Sequence, residues 1–418
     1  LQTEELLWKN ATRLMPRGTQ TMSKCPDQFV DGVYPKFAAR AEGAYIWDIN
    51  DNKYLDFMCG LGPIILGYNH SRTNNAVKNQ MKSGMIFSLP TLLEQELAQL
   101  IVDNVPCAEQ VRFAKNGTDA NLAAVRIARS YTGKEHILKC GYHGWGDWHG
   151  ITIRPHGIPD SLSEIISEFE YNNLDNLESL LRQNDVAGII MEPQALTAPE
   201  PGFLEGVREL STKYGAILIF DEVVTGFRWA LGGAQEYYGV VPDLCCLGKA
   251  LANGMPLSAI AGKREYMQEL NHAFFSMTFG GECLSLAAAI ETIRELKTKD
   301  DYDHIWELGN MLDKGIKEAA QRHALTINFA GSAPRHNLAF DPSYDDPNGM
   351  KALFYQEMVK QGILFSNVIY IQFSHTAEDI EKTVAAAEKA FKYIYNNIDD
   401  IDGALEGKKS VDIFRKST

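Results

Sequence analysis

From about residue 90 the chain alternates short, nearly unbroken apolar runs with longer segments whose apolar positions recur every three to four residues. The runs are "VRFAKN" (111–116), "HILKC" (136–140), "VAGIIM" (186–191), "AILIFDEV" (216–223), "DLCCLG" (243–248) and "LSAIAG" (257–262). The periodic segments include "TDANLAAVRIARSYTG" (118–133) and "FLEGVRELSTKYG" (203–215). Unbroken apolar runs fit strands buried on both faces, and the periodic segments fit the helices that cover them. The pattern predicts an α/β fold with a mostly parallel central sheet between helical layers. Gly133 and Gly215 stand where helix C-caps fall.

The flanks follow a different rhythm. "GAYIWDINDNKYLDFMCG" (43–60) predicts a hairpin around the turn "INDN". After about residue 290 come two long helical patterns, "SLAAAIETIREL" and "IWELGNMLDKGIKEAAQRH". Short strands "TINFAG" and "LAFDP" follow, then a closing helix from Thr376, where Asp379 supplies a capping-box variant. We therefore expect a large α/β domain over 60–290 and a smaller α+β domain over 291–418. The helix and hairpin of 1–59 are expected to pack with the small domain. The first residues, "LQTEELLWKN", read as an amphipathic helix and not as a signal sequence.

Composition narrows the function. The 418 residues carry 40 basic and 54 acidic side chains, a formal net charge of −14, which disfavours nucleic acid or an anionic membrane as partner. No run approaches the ~18 apolar residues of a membrane helix. Seven cysteines without a metal-type CxxC pair read as reduced thiols of a cytoplasmic protein, and no metal site is expected.

Four segments carry candidate chemistry. In "NGTDA" (116–120) a strand gives way to a helix, and Gly117 and Thr118 at that junction fit either a plain N-cap or a phosphate cradle. "CGYHGWGDWHG" (140–150) follows a strand, so Tyr142 either stacks on a flat ligand or fills a surface gap. His143 and His149 have no metal-ligand spacing and read as hydrogen-bonded structural groups, with His143 beside the same ligand. "ILIFDEVVTGFR" (217–228) brings Asp221 to the end of a strand, as the partner of a protonated ring nitrogen or of a structural cation. "PDLCCLGKAL" (242–251) drives Lys249 to the end of an apolar run. Burial there favours the neutral, nucleophilic amine, which forms a Schiff base with an aldehyde. A phosphate cradle, a stacking aromatic, an aspartate and an imine-forming lysine are together the parts of a pyridoxal phosphate site. "GLGPIILG" does not open a helix after a strand, which argues against a nicotinamide dehydrogenase.

These segments, with "GYHGWGD", "IFDEVVTGFR" and "PDLCCLGKALANGMPLSAIAGKREYM", resemble the class III aminotransferases of fold type I. They are most similar to the glutamate-1-semialdehyde aminomutase branch. The resemblance implies pyridoxal 5'-phosphate as cofactor and Lys249 as its covalent anchor. It implies Asp221 on the ring nitrogen, and Tyr142 and Val223 on the two ring faces. It places Asn116, Gly117 and Thr118 at the phosphate and Glu192 of "IIMEP" near the cofactor. Thr278 matches a threonine that reaches the phosphate from a neighbouring subunit, which implies a homodimer with shared sites.

Departures from the family fall around the substrate. The glutamate that gates a carboxylate-binding arginine in ornithine-type enzymes would fall near Thr197, and it is missing, as is their C-terminal arginine. The arginine-bearing stretch of the aminomutase aligns with "TMSKCPDQF", which offers Lys24. Its "SWGP" becomes "GLGP", with Leu61, and its "SGNP" becomes "GGEC", with Glu282. Glu282 fits either a substrate contact or an ion pair with a nearby lysine. The expected activity is transfer of an amino group from a small-molecule donor, glutamate by analogy, to an aldehyde or ketone acceptor lacking a strong carboxylate; a sugar-derived carbonyl fits. The alternatives are an intramolecular aminomutase and a non-catalytic protein that binds the cofactor.

Overall fold

The structure is a computed structural model that describes residues 3–299 and 302–410. Leu1, Gln2 and the last eight positions of the expected small domain lie outside those residues. The chain divides into two units, one of residues 71–302 and one of residues 1–70 with 303–418.

The second of these units opens with a helix, Glu4–Leu14. Three antiparallel strands follow: β1 (Ala38–Glu42), β2 (Tyr45–Asp48) and β3 (Lys53–Asp56). The β2–β3 turn forms because the Asp48 carboxylate accepts the N–H groups of Asn50 and Asn52, at 2.8 and 2.9 Å.

The 71–302 unit holds the large sheet. Its strands are β4 (Gln110–Ala114), β5 (His136–Cys140), β6 (Ile166–Glu168), β7 (Val186–Met191), β8 (Ile217–Glu222), β9 (Leu244–Leu247) and β10 (Ser258–Gly262). Their order is β4-β10-β9-β8-β7-β5-β6. β5 to β9 run parallel with β6, while β10 is antiparallel to both β9 and β4. Every residue of β7, β8, β9 and β10 is buried, as the unbroken apolar runs require. Alternate residues serve opposite faces. Ile217 and Ile219 pack with the alanine-rich helix Gly117–Thr132, whereas Leu218 and Phe220 pack with Phe203, Leu204 and Val207 of the helix Phe203–Tyr214. Gly133 and Gly215 end those two helices in the left-handed conformation, as expected.

The chain then returns to the unit of residues 1–70 and 303–418. β11 (Ile327–Ser332) and β12 (Arg335–Phe340) form a hairpin extended by β14 (Ile369–Tyr370), and β13 (Ile363–Leu364) adds parallel to β3. The buried Tyr34 hydroxyl donates to Phe365 O at 3.0 Å, tying the N-terminal segment to this part of the unit. The closing helix Ala377–Asn396 begins with the Thr376–Asp379 capping box. Between β3 and His70, Cys59, Gly60, Leu61 and Gly62 all have positive φ, from 49° to 99°. The buried Asp56 carboxylate holds this run through the N–H groups of Met58 (2.7 Å) and Cys59 (3.1 Å) and the Tyr68 hydroxyl (2.6 Å). Burial outweighs these bonds and raises the Asp56 carboxyl to about 6.

Candidate active site

The period-two alternation of β8 decides where Asp221 points. Residues 217 and 219 face the Gly117–Thr132 helix, so Asp221 faces it too. There the Asn121 amide donates to Asp221 Oδ2 at 2.7 Å, and His143 Nδ1 lies 2.8 Å from the same oxygen. Oδ1 takes the Val223 N–H at 3.1 Å. Among the described residues, the carboxylate is thus held by an amide, an imidazole and a backbone N–H, and not by an arginine or lysine. His143 Nε2 stands 3.2 Å from Cys140 O, and its backbone N–H donates to His149 Nε2 at 3.1 Å. Burial, with help from His143 and Lys139, pushes His149 down to about 2, so its ring is neutral.

The helix N-terminus sits against this cluster. β4 ends at Ala114, two residues before the expected strand end, and Asn116 caps the helix in a reciprocal box with Asp119. The backbone N–H groups of Gly117 and Thr118 stand in the first turn, where no helical acceptor exists. Gly117 is bare for a reason: a Cβ there would lie 2.9 Å from both methyls of Val223. A Cβ on Gly248 would lie 3.3 Å from the same side chain, so Val223 bridges the cradle and the residue preceding Lys249. The aromatic loop closes over Thr118. Trp145 N–H donates to Thr118 Oγ1 at 3.3 Å, and Gly144, at φ 95°, passes so close that a Cβ would stand 2.1 Å from that oxygen. Glu192 follows β7 and its Oε1 accepts the Tyr142 N–H at 3.1 Å.

Lys249 differs from the sequence expectation. It is half-buried, one residue beyond the buried Gly248, and opens a short helical turn, Lys249–Ala252. Its φ is 43°, a left-handed conformation that costs a non-glycine residue about 1–2 kcal/mol. The apolar run is therefore the strand, and the lysine stands just outside it.

Residues 30–368 match the family described as aminotransferase class III. The chain belongs to the class III aminotransferases. The resemblance read from its motifs is borne out, and with it the fold type I architecture and the use of pyridoxal phosphate. This aminotransferase is 38% identical over 399 residues to the 3-aminobutyryl-CoA aminotransferase of Cloacimonas acidaminovorans, covering 92% of this chain and 95% of that one. It is 35% identical over 416 residues to the glutamate-1-semialdehyde 2,1-aminomutase of Natranaerobius thermophilus, covering 92% and 96%. Among solved structures it superposes on the PLP internal aldimine form of the Sphingopyxis sp. MTA144 FumI protein, with a TM-score of 0.89, 28% identity and coverage of 95% and 97%. An omega-transaminase from Sphaerobacter thermophilus gives a TM-score of 0.87 at 26% identity, with coverage of 93% and 97%.

The residues of this aminotransferase fit the cofactor. Free N–H groups at a helix start, beside a glycine that leaves room, suit a phosphate. Asp221 Oδ1 accepts one N–H and keeps a lone pair for a ring N–H. Lys249 supplies an amine one residue beyond Gly248, which borders Val223. Among the described residues no group of histidine, cysteine and carboxylate side chains has the arrangement of a metal site, and no helix is long and apolar enough to cross a membrane.

Other predicted residues lie elsewhere. Thr278 is exposed on the loop before the helix Cys283–Lys297. Glu282 caps that helix by accepting the N–H groups of Leu284 (2.7 Å) and Ser285 (3.1 Å), and it pairs with Lys115 at 3.1 Å. The lysine-pair reading of Glu282 is what the structure contains. Lys24 is exposed in the turn Met22–Lys24 and Leu61 is half-buried in the left-handed run; both belong to the other unit. Sequence reasoning missed Asn121 and Ser258. Ser258 Oγ donates to Asn116 O at 2.7 Å, fixing the peptide that precedes Gly117. The signal for Asn121 was a lone amide inside an otherwise apolar helical stripe, flanked by Ala120, Ala123 and Ala124.

Proposed function

We propose that this enzyme moves an amino group from an amino acid donor, glutamate by analogy, to an aldehyde or ketone acceptor that lacks a free carboxylate beside the carbonyl. The observation that carries the proposal is the convergence of Gly117, Asp221 and Gly248, the residue before Lys249, on Val223 within the 71–302 unit. We assign cofactor binding to that unit. When bound, pyridoxal phosphate supplies an aldehyde to link the amine and a ring that withdraws electrons from the carbon bearing it. The Gly117 and Thr118 N–H groups bind the phosphate at the positive end of the helix dipole. Asp221 holds a proton on the ring nitrogen through Oδ1. Val223 and Tyr142 orient the ring from its two faces, and Glu192 fixes the Tyr142 backbone. Lys249 Nζ anchors the aldehyde between turnovers and moves the donor's α-proton during them.

The acceptor class rests on the missing arginine clamps. The Cloacimonas relative agrees, because by its name it handles an amine whose carboxyl group is tied up as a thioester. A ketone adjoining a thioester belongs to the proposed class, as does a sugar-derived carbonyl. The aminomutase reading is supported by the relatives bearing that name. Incubation with glutamate separates the two: an aminotransferase releases 2-oxoglutarate stoichiometrically, and a strict mutase does not. Borohydride reduction of the loaded protein, followed by peptide mass spectrometry, is expected to find the cofactor on Lys249; its absence there overturns the proposal.

We further propose a homodimer and a cytoplasmic location. Met81, Met85, Ile86, Phe87, Leu89 and Leu92 are all exposed within residues 81–92 of the 71–302 unit, Thr278 is exposed elsewhere in it, and runs of exposed apolar side chains mark association surfaces. All seven cysteines are free thiols, which suits a reducing compartment. Sedimentation analysis tests the dimer.

A further inference from the structure

We infer that Asn121 is a positioning residue for the reaction, and that the Gly117–Thr132 helix acts as one rigid gauge setting both the phosphate anchor and the ring-nitrogen anchor. The inference rests on the cofactor assignment above and goes beyond it. Gly117 and Asn121 are four residues apart, so they lie on one helix face, separated by about 6 Å along the axis. The first residue borders the anion cradle, and the second grips Asp221. The distance between the two ends of the site is thereby fixed by hydrogen-bonded helix geometry and not by loop conformation.

The amide does more than fill space. Asn121 Nδ2 lies 2.7 Å from Asp221 Oδ2 and 3.3 Å from His143 O, so one NH2 group joins the carboxylate to the aromatic loop. Together with His143 it occupies Oδ2. Oδ1, with the Val223 N–H as its donor, is left as the oxygen that faces a ligand proton. Without the amide, Oδ2 keeps only the His143 ring and Oδ1 the Val223 N–H, so the carboxylate is held less firmly against turning about its Cβ–Cγ bond. The site is also costly to maintain. Asn121 is 2% exposed, and its Oδ1 has no hydrogen-bond partner among the described residues. A buried, half-satisfied amide costs about 1–3 kcal/mol. Its neighbours in the stripe are alanines, so a residue serving only the core would be apolar here.

The test uses the full-length, cofactor-loaded protein and its Asn121→Leu variant, with Asn121→Ala as the second variant should leucine prevent folding. The covalent link at Lys249 is expected to persist. The kcat is expected to fall about 10- to 100-fold with KM within about twofold, the size typical of removing an outer partner of an active-site ligand. A carboxylate held less firmly presents Oδ1 to the ring nitrogen less steadily. The absorbance–pH midpoint of the loaded variant is therefore expected to differ from that of wild type. Reconstitution with N-methylpyridoxal phosphate, whose ring nitrogen carries a fixed positive charge, is expected to bring the wild-type-to-variant kcat ratio close to one. A merely structural role does not produce that rescue. The inference is overturned if the variants match wild type in kcat and titration, or if the kcat ratio is the same with the N-methylated cofactor. If wild type itself does not load cofactor at Lys249, the cofactor assignment fails and takes this inference with it.

Discussion

Gly117 and Val223 meet without room for one more carbon: a Cβ at 117 would stand 2.9 Å from both valine methyls. Gly117→Ala is therefore expected to push Val223 or the helix start aside, at about 1–3 kcal/mol. The displaced groups are those assigned to the phosphate and the ring face. Cofactor affinity, measured by equilibrium titration of the apo protein, is expected to fall by about 5- to 140-fold, each 1.4 kcal/mol being worth a factor of ten. Gly117→Ala, Val223→Ala is expected to restore part of it.

His149 gives the 71–302 unit a defined acid sensitivity. Its ring is held near 2 against an ordinary value of 6.5, so the unfolded chain takes up a proton that the folded one refuses. The contribution is fully present above pH 6.5 and is lost as pH falls, by about 1.4 kcal/mol per unit. His149→Gln keeps an acceptor for the His143 N–H. Denaturant melts at pH 7 and 5 are expected to show the variant gaining on wild type as the solution is acidified.

Asp56 has the opposite sign. Its carboxyl is raised to about 6 from 3.8, so the folded state prefers the protonated form. Its contribution is complete below pH 3.8 and is lost as pH rises through 6, a total of about 3 kcal/mol. Asp56→Asn is expected to remove this dependence. The stability difference between variant and wild type between pH 4 and 7 is the measurement, and a difference that does not change with pH contradicts the assignment.

Glu282 is expected to behave as a cap. Glu282→Ala strips the acceptor from the Leu284 and Ser285 N–H groups and leaves Lys115 half-buried without its partner. A loss of about 1–2 kcal/mol in unfolding free energy follows from the cap. The KM values for donor and acceptor are expected to stay within about twofold, a change a single hydrogen-bond loss exceeds. A tenfold rise in KM would assign the residue to substrate instead.

The strands were legible because burial on both faces demands unbroken apolar runs, which leave little ambiguity for "VAGIIM" or "ILIFDEV". Val186–Met191 coincides with its run. The roles available to Asp221 were legible too, since a carboxylate at the end of such a run needs a partner. Which partner was not: the contact to Asn121 depends on which sheet face the helix covers, and that is settled by tertiary packing. Lys249 was read as the end of a strand because sequence shows hydrophobicity but not φ. Ser258 was invisible for a topological reason. It starts β10, and only the antiparallel direction of that strand brings a strand beginning to the edge where the parallel strands end.

The backbone at Lys249 has a consequence for how the chain ages under relaxed selection. An amine attached at φ 43° sits where asparagine is more comfortable, as the neighbouring Asn253 at φ 44° illustrates. On the role proposed for Lys249, catalysis and thermal robustness pull in opposite directions at one codon. A lineage released from the need to turn over substrate is expected to exchange this lysine for glycine or asparagine and to unfold at a higher temperature once it has done so.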